Sequence, residues 1–153
     1  MLAFINIIPE WHRYSDRLER IVLAGREDGY DGSHVFHPRE ETGSIFLNAW
    51  PEDLWMEIVT PYFDAHESIF ERVGVSFDRR KDCVVCRFTA RQARAFMLLH
   101  VFMHELGHHY DRINQKHLDS WKGEDYAERF ATSRFDQMFP AYVGVFGHPS
   151  RAD

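Results

Sequence analysis

The chain has 153 residues, which suits one domain built around one core. Hydrophobic residues make up 44% and aromatic residues 15%, so a packed interior is expected rather than a disordered chain. The net charge of −6 argues against a nucleic-acid partner, because phosphate binding needs clustered Lys and Arg.

Taken in chain order, residues 1–9 (Met-Leu-Ala-Phe-Ile-Asn-Ile-Ile-Pro) lack a basic lead and are too short an apolar run for a signal peptide. No run approaches the ~18 apolar residues needed to cross a bilayer. The expectation is a cytoplasmic protein with no membrane partner. Leu2–Ile8 reads as a strand, and Pro9 opens a helix through Trp11, Leu18, Ile21 and Val22 to about Gly25. Residues 27–33 are turn chemistry, and Val35-Phe36 is a short strand. Ser44–Trp50 reads as a further strand and a candidate sheet edge. Pro51 is expected to start a helix containing Leu54, Trp55, Ile58, Phe63, Ile69 and Phe70, which Pro61 kinks or divides. Val73–Phe77 and Asp82–Phe88 read as a hairpin around Arg79-Arg80-Lys81, a solvated basic turn. Cys83 and Cys86 stand alone as a Cys-x-x-Cys pair. On a strand their side chains point to opposite faces, so they read as ordinary reduced cysteines.

Thr89-Ala-Arg-Gln92 is a capping box that launches a helix, apolar nearly all round from Ala95 to Met103. That helix ends in His104-Glu-Leu-Gly-His108. Residues four apart share a helix face, so His104 and His108 can present nitrogens to one ion. Glu105 is offset by about 100° and can lie beside an open coordination position. There it would take a proton from a water whose pKa zinc lowers to roughly 7. The pattern alone would arise by chance about 0.05 times in a chain of this composition. Its setting adds weight: a capped, buried helix, with Gly107 leaving room for close approach.

A catalytic zinc site has three protein ligands and a water. A last helix is expected from about 121–124 to Met138, ending before Pro140. In Glu124-Asp-Tyr-Ala-Glu-Arg-Phe-Ala131, helical spacing puts Glu124, Ala127, Phe130 and Ala131 on one face. The two alanines allow close approach, and Glu124 would point to the ion. Glu128, one turn on, would accept a hydrogen bond from a ligating imidazole's other nitrogen, or replace Glu124 as ligand. His100 is a core histidine or a support for His104. His109 and His117 are expected on the surface, and Asp111 off the ligand face. Tyr110, Tyr126, Tyr142 and His148 are each candidate oxyanion stabilisers.

These two segments together resemble the gluzincin branch of zincin metallopeptidases, in particular small intracellular ImmA/IrrE-type proteins. The resemblance covers Met103 to Ala131. It implies a compact α+β, zincin-like single domain over residues 1–153, with a small mixed sheet on a buried motif helix and the C-terminal helix giving the third ligand. It further implies a Zn2+ cofactor held by His104, His108 and Glu124, Glu105 as general base, and a peptide or protein substrate. Zincins bind extended peptide along an edge strand, for which Ser44–Trp50 is the expectation. Glu at 128 departs from the Asp or Asn common there. A domain of the same fold that keeps zinc for stability and binding, without proteolysis, is the alternative.

Overall fold

The apolar stretch 95–103 becomes the buried axis of the molecule. The computed structural model describes residues 1–25, 31–115 and 120–151. It carries the stretch in a nearly continuous helical rod: α4 (Ala90–Phe96), a wide π-helical turn (Met97–Val101), α5 (Phe102–Tyr110) and a second wide turn (Asp111–Gln115). The rod begins at the capping box. Thr89 Oγ1 accepts from the Gln92 amide at 3.2 Å, and Gln92 Oε1 accepts from the Thr89 amide at 2.7 Å. Phe96, Leu99, Phe102, Met103 and Leu106 are almost wholly buried.

Two three-stranded sheets and a long helix enclose this axis, giving a single-domain α+β architecture. The first sheet has order β1 (Leu18–Leu23), β3 (Thr42–Leu47), β2 (Gly32–His37). It is mixed: β1 runs parallel to β3, and β2 antiparallel. It packs on α5 through β2 and β3. The second sheet, β4 (Trp55–Val59), β6 (Cys83–Arg87), β5 (Ser76–Arg79), is wholly antiparallel. α3 (Thr60–Val73) joins its first two strands in sequence and lies against α4. α6 (Ser120–Phe146) packs along α5. No helix among the described residues is long and apolar enough to cross a membrane.

Several sequence expectations are corrected. Residues 2–8 are not a strand: α1 (Leu2–Ile5) places Phe4 in the core, and the turn that follows it places Ile8 there. The helix expected from Pro9 to Gly25 stops as α2 (Trp11–Tyr14), and Arg17, at φ 58°, turns the chain into β1. The β-branched Ile21 and Val22 are there claimed by pairing with Ile45 and Phe46. No helix starts at Pro51. Trp55–Val59 alternates as β4, and Pro61 does not kink α3 but opens it, where its missing N–H costs nothing. α6 runs through Pro140, because that residue lies on the exposed side, where the released carbonyl meets water, while Met138, Phe139 and Tyr142 stay in the core. β3, expected as an edge, is the central strand of its sheet. The expected turn at 27–33 falls in part, and His117 wholly, outside the described residues.

Candidate metal centre

The contact between α5 and α6 depends on residues too small to hold the helices apart. A Cβ placed on Gly107 would sit 2.9 Å from Ala127 Cα and 3.1 Å from Phe130 Cβ. Ala127 and Ala131 are themselves fully buried. This approach carries the start of α6 over the histidines of α5.

Ligand-type atoms of three residues meet there, one from each lying within 4.8 Å of the others. His104 Nε2 lies 3.1 Å from His108 Nε2 and 3.3 Å from Glu124 Oε2, and His108 Nε2 lies 3.3 Å from Glu124 Oε1. Zinc ligands at 2.0–2.2 Å in a tetrahedron are separated by about 3.3–3.6 Å. Each of the three contacts is close to such an edge, the two histidines reaching different oxygens of Glu124. The chemistry fits as well: two imidazoles and a carboxylate are ordinary zinc donors, with the fourth position left for solvent or substrate. The two rings are about one-fifth exposed, and the Glu124 side chain is 64% exposed, so the group opens to solvent on one side.

Glu128 stands where a hydrogen bond from the other nitrogen of an imidazole was expected to reach it. Its Oε2 accepts from His104 Nδ1 at 3.3 Å, which leaves the His104 lone pair on Nε2, facing His108 and Glu124. Its Oε1 contacts His66 Nε2 at 3.1 Å and accepts from Thr132 Oγ1 at 3.0 Å. Burial opposes its charge, yet the His104 and His66 contacts outweigh that and hold the carboxyl far below its usual range. Burial likewise pulls His104 down, but the bond to Glu128 and the charges of Glu105 and Glu124 raise it overall. His108 goes the other way, lowered by burial and by His104.

Glu105 is 7% exposed, and burial pushes its pKa up to about 7, with a smaller upward contribution from Glu124 and an opposing one from His104. A carboxyl poised there exchanges protons near neutrality, as a general base requires. Its other side is closed by the opening of β2: a Cβ on Gly32 would sit 3.1 Å from Glu105 Cγ and 2.8 Å from Val101 Cγ1. Only a glycine lets the strand pass this close.

The cleft above these groups has a volume of about 270 Å³. His104, Glu105, Glu124 and Glu128 line it from the helices, Asp31 and Gly32 from the β2 side, and Tyr62 from α3. That size encloses a side chain or two, not a whole peptide. Tyr62 is 39% exposed but stacks on His66 with ring centroids 4.1 Å apart, and desolvation on the cleft wall, with the charges of Asp31 and Glu128, raises its hydroxyl above the ordinary tyrosine value. Sequence reasoning missed Asp31, Gly32, Tyr62 and His66. His66 alone left a trace, a polar residue on the apolar stripe of Phe63, Ile69, Phe70 and Val73.

The other candidates lie elsewhere. Tyr142 is 1% exposed and packs between Phe4 and Phe146. Tyr110 and Tyr126 line a separate cavity with Arg13 and Arg134, and His148 packs on Phe139. His109, expected on the surface, is completely buried beneath the first sheet. His100 is a core residue, 2% exposed. Cys83 and Cys86 are free, and burial raises Cys86 to about 11, which leaves it an inert thiol near neutrality. No protein-family model matches the chain, and no curated protein or solved structure is detectably similar to it.

Proposed function

We propose that this chain is a zinc-dependent metallopeptidase with a zincin-like fold, in which His104, His108 and Glu124 hold the metal and Glu105 is the general base. The observation that carries the reading is the cluster of ligand atoms from His104, His108 and Glu124 where α5 and α6 meet, with the buried Glu105 carboxyl one residue from the first histidine. When bound, zinc acidifies a coordinated water and polarises the scissile carbonyl.

The chain's own residues supply the rest. Glu105 takes the proton of the attacking water and passes it to the departing amine nitrogen. Glu128 fixes the His104 ring by accepting from Nδ1. Tyr62, held as the neutral phenol, offers a hydroxyl donor on the cleft wall. An extended substrate has an edge to join. β2 pairs only with β3 among the described residues, and its first residue, Gly32, lines the cleft. Strand addition is therefore assigned to β2, because β3 has no free edge.

The test is zinc content and peptide cleavage together. Protein purified without added metal is expected to hold near-stoichiometric zinc that falls sharply in Glu124→Ala. Wild-type protein that takes up no zinc on reconstitution would refute the reading.

A further inference from the structure

Glu128 sits where three imidazoles converge, with His104 Nδ1 3.3 Å from one of its oxygens and His66 Nε2 3.1 Å from the other. His66 stands differently. Its Nδ1 lies 2.7 Å from the Tyr62 carbonyl oxygen, one turn earlier on α3, and a carbonyl accepts only from an N–H. The neutral His66 ring therefore keeps its lone pair on Nε2. That atom is 3.1 Å from Glu128 Oε1. A lone pair facing a carboxylate oxygen at such a distance needs a cation between them, a proton or a metal. The third ring, His100, is 2% exposed, with Nε2 4.0 Å from Glu128 Oε2, beyond hydrogen-bonding distance, and Nδ1 buried without a partner. One ligand atom from each of the three residues lies within 4.8 Å of the others.

We infer that His66, His100 and Glu128 form a second divalent transition-metal site, with Glu128 holding the cation through Oε1 while Oε2 keeps the bond from His104. The donor set is that of the first centre, two imidazoles and one carboxylate, and it suits zinc, cobalt or nickel rather than calcium or magnesium. The His66–Glu128 separation is already within a few tenths of a tetrahedral edge of about 3.3–3.6 Å. His100 stands farther off, its Nε2 4.0 Å from the other Glu128 oxygen, and draws in on binding. Such an ion would tie α3, the wide turn of the central rod and α6 to one point. The site stands independently of any peptidase activity, although it shares Glu128 with the first centre.

The test is a metal titration of the full chain after chelator stripping, using Zn2+ against a chromophoric competitor and Co2+ by its visible absorption. Wild type is expected to take up two equivalents, with the melting temperature still rising during the second. His66→Gln should take up one, Glu124→Ala one, and the double variant none. One equivalent in both wild type and His66→Gln would overturn the second site and leave the first intact, a proton then filling the gap between His66 and Glu128. Two equivalents in His66→Gln would also overturn it. An unchanged count in Glu124→Ala would instead count against the first centre. Circular dichroism checks folding, and if His66→Gln does not fold, His100→Leu decides by the same loss of one equivalent.

Discussion

His108 and His109 are neighbours in sequence, yet α5 turns them toward opposite chemistry. His108 Nε2 faces His104 Nε2 and a Glu124 oxygen, a set that offers three lone pairs to an ion whenever both imidazoles carry their proton on Nδ1. His109, on the sheet side, is complete without an ion. Its Nε2–H donates to the Asp16 carbonyl at 2.8 Å, so Nδ1 accepts from His34 Nε2 at 3.3 Å. A metal-ready histidine is thus recognised not by burial or motif alone, but by a lone pair aimed at other lone pairs. A structural histidine is one whose two nitrogens have already found complementary partners.

Experiments can break or sharpen that contrast. The largest effect is expected on the cleft side. Glu105→Gln should lower kcat for peptide cleavage by about 10²–10⁴-fold, with zinc content and melting temperature close to wild type. Undiminished turnover in that variant would remove Glu105 from the chemistry. Glu128→Ala should weaken zinc at the His104–His108–Glu124 centre by about 10–100-fold, whereas His109→Ala should leave that affinity alone and lower stability instead. Equal zinc loss in both variants would erase the distinction between the two faces.

Gly107→Ala probes the helix contact that brings the faces into place. Overpacking against the Ala127 backbone costs about 1–3 kcal/mol, of which better helix propensity returns about 1, so a net loss of up to about 2 kcal/mol is expected in denaturant melts. A neutral result would mean that α6 can give way there. The smallest effect belongs to the sheet side. Burial lowers His34 to about 3, with His109 contributing. The unfolded chain therefore binds a proton near pH 6.5 that the folded one refuses, and stability falls as pH drops through that range toward 3. Between pH 7 and 6 the loss is at most about 0.7 kcal/mol, steepening to about 1.4 per unit below. His34→Gln should flatten that slope, and an unaltered slope would place the effect on other groups.

Much of the candidate site was legible because its determinants are local. The capping box, the four-residue histidine spacing, Gly107 and the Glu124/Glu128 pair each act within one or two turns, and α5 and α6 place them as their spacing requires. The N-terminal half was less legible, because pairing decided it. Ile21 and Val22 satisfy a helical or an extended pattern equally, and only the parallel partner β3, more than twenty residues later, selects the strand. Ser44–Trp50 could be read as a strand but not as a central one, since sheet order follows from where β1 and β2 dock. His66 reaches Glu128 across 62 residues, and nothing near it in the chain announces that contact.

The wide turn at Met97–Val101 bears on how this protein can change by insertion and deletion. A π-helical turn holds one residue more than the α-helical turn it replaces. Deleting a single residue there would restore an ordinary α-helical turn and leave the upstream helix facing as it does now relative to His104 and His108. The same deletion at Phe102 or Met103, in regular α-helix, would rotate everything upstream by about 100°, so that Phe96 would lose its stacking on Phe70 and Ala93 and Ala95 would swing from the interior. The wide turn is thus the one place on this rod ahead of His104 where a change of length need not set the core against the His104–His108–Glu124 cluster.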